Sequence, residues 1–193
     1  MLTIASLAAA PRQGFEGLTG RVRGDLLGPW GDNVVKRFGA DGLARVRTRL
    51  GFDLAPVLTA KDWVPIHAQL AVTEAIVDEL LGGDWLRLGP LLIEDTRVGV
   101  GRIQLGLLRA MGPGNAFKLT SKTFAAVYDR GAATAVVEKK SARLSFTGNA
   151  VFAHPRWRLM QLYAMNTMLA LCNTAGELSG EDTQDGFVAN ARW

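Results

Sequence analysis

Three side chains on one predicted helix have the types from which a metal site could be built. His67, Glu74 and Asp78 share one stripe of a helix predicted over residues 65–81. His67 and Glu74 are two turns apart, about 10 Å, which is too far for both to reach one ion easily. Glu74 and Asp78 could act together, but two acids at this spacing more often form a solvated face. A zinc site needs three or four ligands of the nitrogen or sulfur type. The chain has only three such residues, two histidines and one cysteine, so we predict no metal.

Covalent and phosphate chemistry have no clear residues either. Cys172 follows an apolar helix, where a thiol is usually structural, and no Gly-x-Ser-x-Gly elbow occurs. The segment Gly99-Val100-Gly101-Arg102 resembles part of a phosphate loop. Gln104 stands where the third glycine of a dinucleotide fingerprint would be, and helical periodicity continues through the segment. We assign no catalytic residue, although an enzyme with an unrecognised site remains an alternative.

A candidate ligand pocket comes from the helix predicted over residues 155–171, which is apolar nearly all round. Such a helix packs on several sides, and ligand sites are mostly apolar with a few polar groups. The predicted lining residues are Trp157, Met160, Gln161, Tyr163, Asn166 and Met168. Soft and aromatic side chains usually fill a core, so a filled core is the alternative.

The hydrophobic period predicts the elements that must position these residues. Helix 65–81 has one apolar stripe and residues 98–111 have another; their members are Ile66, Leu70, Thr73, Val77 and Leu80, then Val100, Ile103, Leu107 and Met111. Gly39 and Gly112 are predicted breakers. After Gly131 the period becomes alternating, which predicts strands over 134–138, 142–147 and 186–193 with a turn at Lys139-Lys140. The fold class is α+β, a helical N-terminal layer packed on a small antiparallel sheet formed by the C-terminal part.

Length and composition indicate an ordinary globular chain. We predict a flexible lead-in over residues 1–20, because of its glycines and Pro11, and one domain over 21–193. The net charge of +4 comes from scattered basic residues, so we expect no nucleic-acid partner. No apolar run approaches the roughly 20 residues that span a bilayer, so we expect no membrane partner. A single cysteine favours a reducing compartment, which we take as the cytoplasm.

The chain resembles an uncharacterised domain family that is expanded as paralogues in myxobacteria. The resemblance covers about residues 20–193. The residues that carry it are Gly24, Arg37-Phe38-Gly39, Trp63-Val64-Pro65, Glu74, Leu80-Leu81-Gly82-Gly83-Asp84, Leu108-Arg109-Ala110-Met111-Gly112-Pro113, Tyr128-Asp129-Arg130-Gly131, Ala142-Arg143-Leu144, His154-Pro155 and Trp193. That family is distantly similar to the 4-vinyl reductase and haem-nitric-oxide-binding folds, which implies helices over an antiparallel sheet around an apolar cavity.

The resemblance also implies two cofactor-binding motifs that can be sought in the sequence. The haem-binding relatives hold the propionates with a Tyr-x-Ser-x-Arg motif, and this chain has none. The 4-vinyl reductase relatives often have a C-terminal cysteine cluster, which residues 174–193 lack. His154 precedes Pro155 at a helix start, where it suits a capping or surface role. We therefore expect no cofactor and a colourless protein.

Three functions follow from these observations. The preferred one is a non-enzymatic regulatory or sensing module that binds a small apolar ligand. The first alternative is a protein-interaction domain that binds a protein partner or forms a homodimer. Its surface would include exposed aromatic residues, for which Trp30 and Trp85 are the candidates. The second alternative is the unrecognised enzyme.

Overall fold

The computed structural model describes residues 1–193 apart from the side chain of Leu26, and it shows helices packed against an antiparallel sheet. The helices are α1 (Ile4–Ala8), α2 (Gly28–Leu50), α3 (Ala55–Thr59), α4 (Ile66–Leu81), α5 (Leu88–Gly99), α6 (Arg102–Val127) and α7 (Pro155–Leu171). The strands are β1 (Arg21–Arg23), β2 (Trp63–Pro65), β3 (Ala132–Val137), β4 (Ser141–Thr147), β5 (Glu177–Thr183) and β6 (Gly186–Arg192). This is the predicted α+β class.

The main sheet has the strand order β3-β4-β6-β5, with each neighbouring pair antiparallel. Strands β3, β4 and β6 and the turn at Lys139-Lys140 are confirmed. Strand β5 was not predicted, because Gly180 and acidic residues interrupt its apolar pattern. Its outer edge is partly covered, since the backbones of Leu2 and Gly180 exchange two hydrogen bonds of 2.6 and 2.7 Å.

Two predicted breakers lie inside longer helical segments. Gly39 (φ 73°, ψ 179°) interrupts α2, and Gly112 (φ 70°, ψ 167°) interrupts α6. This backbone region is essentially restricted to glycine. Helix α4 begins one residue after the prediction, and α7 begins and ends at the predicted residues. The predicted helix 98–111 is divided between the end of α5 and the start of α6.

Aromatic side chains fill the space between α7 and the sheet. Trp157 is 1% exposed, and its ring lies 4.5 Å from Phe152, 5.0 Å from Phe146 and 6.4 Å from Phe187, centroid to centroid. The inward residues of β4 and β6 pack against the same cluster. One face of the sheet therefore forms the core, and Arg143 and Thr147 on the opposite face of β4 are exposed.

The segment 1–20, predicted as a flexible lead-in, contains α1 and makes long-range contacts. Leu7 is buried in the main core. The guanidinium of Arg156 donates to the carbonyl oxygens of Leu7 (2.9 Å), Ala8 (3.1 Å) and Ala10 (2.9 Å). Capping also stabilises the segment, because the side chains of Thr3 and Ser6 form a capping box.

The exposed apolar residues differ from those expected. Trp85 is buried, with the Arg156 guanidinium 4.4 Å from its ring centroid, so the prediction of exposure was wrong. Trp30 is half-buried. The α6 stripe instead faces solvent, with Ile103 79% and Leu107 60% exposed. Within the described residues, no helix is both long enough and apolar enough to cross a membrane.

Candidate functional site

The six residues predicted to line a pocket point in several directions around α7. Trp157 lies in the aromatic core described above. Tyr163 is buried on another side, where its hydroxyl donates to the Trp85 carbonyl oxygen at 2.7 Å. Burial raises the pKa of Tyr163 to about 12, and nearby Asp84 adds to this. Both aromatic side chains therefore have packed surroundings.

The other four predicted residues are half-buried. Met160 and Met168 pack against the edge of the main core. Gln161 lies near the hydroxyl of Tyr128, whose pKa is raised by burial and lowered in part by Gln161 and Trp157. Asn166 is half-buried on the same helix. A pocket on α7 stays a prediction, and a cavity lies elsewhere, between α2, α4 and α5.

Arginine side chains pair with the acidic residues of the α4 stripe. Asp78 forms ion pairs with Arg12 and Arg49, and Arg12 also lies 3.6 Å from Glu74. Arg156 approaches Glu74 from the protein interior at 3.8 Å. Burial raises the pKa of Glu74, although Arg12 and Arg156 oppose this effect. Among the described residues, no three potential metal ligands come together.

A cavity of about 240 Å³ lies between helices α2, α4 and α5. The two longer walls are matching helical stripes, with members spaced three or four residues apart. The lining residues from α2 are Pro29, Trp30, Asn33, Val34, Arg37 and Phe38; those from α5 and the residue after it are Leu88, Leu91, Leu92, Asp95, Thr96, Gly99 and Val100; α4 contributes Ile76. The wall is therefore mainly apolar, as is typical of small-molecule sites.

Polar groups are few and have different roles. Arg37 donates to Asp95 from two nitrogens, at 2.9 and 2.5 Å, and pairs with Glu94 at 3.1 Å. The hydrogen bond that Arg37 donates to Asp95 is the main reason that the pKa of Arg37 is raised. The Thr96 hydroxyl donates a hydrogen bond to the Leu92 carbonyl oxygen at 2.7 Å. The Asn33 side chain also lines the cavity, and its amide makes no hydrogen bond to the described residues.

Sequence reasoning missed this cavity although its signal was present. The α5 wall repeats at Leu88, Leu92, Thr96 and Val100, and the α2 wall repeats at Trp30, Val34 and Phe38. Each repeat predicts a helix face turned towards the protein interior. A sequence cannot show that two such faces remain apart instead of closing on each other.

Comparison with known proteins shows similarity in fold. The Fe(II) unliganded H-NOX protein from K. algicida matches with a TM-score of 0.57 at 12% identity, covering 88% of this chain and 94% of that one. A Cs H-NOX mutant carrying 4-cyano-L-phenylalanine matches with a TM-score of 0.57 at 12% identity, covering 88% and 95%. A third structure concerns the modulation of haem redox potential by protein-induced porphyrin distortion. It matches with a TM-score of 0.51 at 10% identity, covering 89% of this chain and 99% of that one.

These structures confirm the predicted likeness to the haem-nitric-oxide-binding fold. No family model matches the chain, and no curated protein matches it. At 10–12% identity the likeness concerns the fold alone.

The residues of this chain do not fit haem. Haem iron is held by His, Cys, Met or Tyr, and none of these lines the cavity between α2 and α5. His67 lines a separate surface hollow with Arg12 and Arg49, but Glu74 and Asp78 pair with these arginines. Propionates at that hollow would meet two carboxylates. His154 is buried and caps α7, so the predicted capping role agrees with its geometry.

Proposed function

We propose that this protein is a small-ligand sensing module of H-NOX-like fold that binds an apolar molecule between α2, α4 and α5. The observation that carries the proposal is an apolar cavity of about 240 Å³ with the Asn33 amide on its wall. An engineered protein cavity of about 150 Å³ holds benzene. The present cavity therefore suits a small aromatic or aliphatic molecule with one polar group. The resemblance to the myxobacterial domain family and a location in the cytoplasm belong to the same proposal.

Helix α5 would transmit ligand binding from the cavity to the connection with α6. Its inner face lines the cavity, and Gly99 and Val100 lie at the connection to α6. Gly101 then precedes the first residue of α6. A ligand that separates α2 from α5 would act directly on this connection. Sensing in this proposal is thus a shift of α5 relative to α2, opposed by the ion pair between Arg37 and Asp95.

Ligand binding is tested by thermal unfolding with a panel of small aromatic and aliphatic compounds that includes benzene. A ligand at ten times its Kd stabilises the folded state by about 1.4 kcal/mol. For a chain of this size that is about 3–6 °C in Tm. The variant Leu92→Trp is expected to fill the cavity, remain folded and lose the ligand-dependent increase in Tm.

The matched control is Met168→Trp on α7. In a filled core this change costs about 1–3 kcal/mol through overpacking, and the ligand-dependent increase in Tm should persist above the lower baseline. The opposite result, with the increase lost in Met168→Trp and kept in Leu92→Trp, would move the site to the α7 pocket predicted from sequence.

Absence of haem binding is a second prediction of the proposal. We expect the purified protein to be colourless and to give no protein-bound Soret band when haemin is added. His67→Ala is the informative variant, because His67 is the exposed histidine beside Arg12 and Arg49. A Soret band that appears with haemin and is lost in His67→Ala would contradict the prediction.

A further inference from the structure

The first half of α6 presents an apolar stripe to solvent. Ile103, Leu107 and Met111 lie at successive turns and are 79%, 60% and 40% exposed. Gly106 and Ala110 are also exposed and lie along the same face. The inward face of this segment is formed by Leu105 and Leu108, which are half-buried. A helix that is apolar on both sides is typical of a helix that packs on two sides.

Unpaired positive charge follows one edge of this stripe. Arg102 and Arg109 are seven residues apart, so they lie on one face about 10 Å from each other. Both are exposed, as is Arg97 at the end of α5, and none of the three forms an ion pair with the described residues. The sequence has no acidic residue between Asp95 and Asp129. Elsewhere in the helical layer, by contrast, Arg37 is paired with a carboxylate.

We propose that this α6 surface, defined by Ile103, Gly106, Leu107, Ala110 and Met111 with Arg102 and Arg109 at its edge, binds an acidic amphipathic helix of a partner protein. Small residues in the stripe allow a second helix to approach closely. The two arginines would pair with carboxylates spaced seven residues apart on that helix. Charge complementarity of this kind guides association and fixes the register of binding.

Charge also distinguishes this partner from the other candidates. Two copies of the chain that paired through α6 would bring only basic side chains together, which is unfavourable. Membrane-binding helices usually carry aromatic residues, and polybasic membrane sites carry about four to eight basic residues. The α6 surface has no aromatic residue and only three nearby arginines. This inference does not depend on the proposed ligand, although α5 joins the cavity to this surface.

The test uses two labelled probe peptides of about 18 residues, five helical turns. Both carry a leucine stripe; one has glutamates beside the stripe and the other has lysines. Fluorescence anisotropy with the full chain should show at least tenfold tighter binding of the acidic peptide. Leu107→Asp should weaken that binding at least tenfold. The control Val136→Asp, at a residue 61% exposed on β3, should leave it unchanged.

Charge reversal provides a second readout that does not rely on loss of binding. The double variant Arg102→Glu with Arg109→Glu should prefer the lysine peptide over the glutamate peptide. Equal binding of both peptides by the native chain would overturn the proposal. So would binding to phosphatidylserine vesicles without peptide binding, or a dimer in light scattering that Leu107→Asp dissociates. Circular dichroism of each variant establishes that the fold is retained.

Discussion

At the scale of single residues, His154 links the charge state of one ring to the start of α7. Its Nδ1 accepts a hydrogen bond from the backbone N–H of Arg156 at 3.2 Å, which caps the helix and requires an unprotonated Nδ1. Burial lowers the pKa of His154; the backbone of Gln13 and Gly14 opposes this, while the charges of Arg156 and Arg158 add to it. Protonation therefore opposes folding at this position.

The pH dependence follows from this direction. Between the lowered folded pKa and the unfolded value near 6.5, the unfolded chain binds more protons, so stability rises with pH. The contribution of His154 is present above the unfolded pKa and is lost as pH falls through the folded pKa. His154→Asn keeps a good N-cap and should flatten the loss of stability between pH 7 and pH 5, measured by urea unfolding. An unchanged pH slope in this variant would contradict the assignment.

At the scale of elements, the break at Gly112 determines the direction of α6. Its φ of 70° and ψ of 167° lie in a region used essentially by glycine, and a Cβ there would meet no atom within 4 Å. Gly112→Ala should therefore cost about 1–3 kcal/mol through backbone strain alone. Gly106 has equally open surroundings but lies within the helix, so Gly106→Ala should stabilise by about 0.5–1 kcal/mol. Chemical unfolding of both variants gives opposite signs, and equal signs would refute the strain argument.

Some of these elements could be predicted from the sequence and others could not. The all-round apolar character of α7 and the alternating pattern of β4 were sufficient to predict both, because each pattern follows from burial of a defined face. Strand β5 was not predicted, because its backbone pairing with β6 does not depend on an apolar pattern. The apolar stripe of α6 has a helical period, but periodicity does not reveal whether a second surface is present to cover the stripe.

At the scale of the whole molecule, both proposals depend on helix faces that the fold leaves incompletely packed. The core around Trp157 is closed by aromatic contacts. By contrast, the α2 and α5 faces border an open cavity, and the outer face of α6 carries exposed apolar residues. The cavity could not be predicted from the sequence, because it depends on the separation of helices that are distant along the chain. Its apolar lining residues do follow the periodicity of buried helix faces.

Methyl NMR tests the central claim, a small apolar ligand between α2, α4 and α5, most directly. The protein is titrated with benzene while the methyl groups of Val34, Ile76 and Leu92 are compared with those of Met160 and Met168. We expect saturable chemical-shift changes at Val34, Ile76 and Leu92, little change at the two methionines, and no response in Leu92→Trp. Changes centred on Met160 and Met168, or no saturable change at any of these residues, would contradict it.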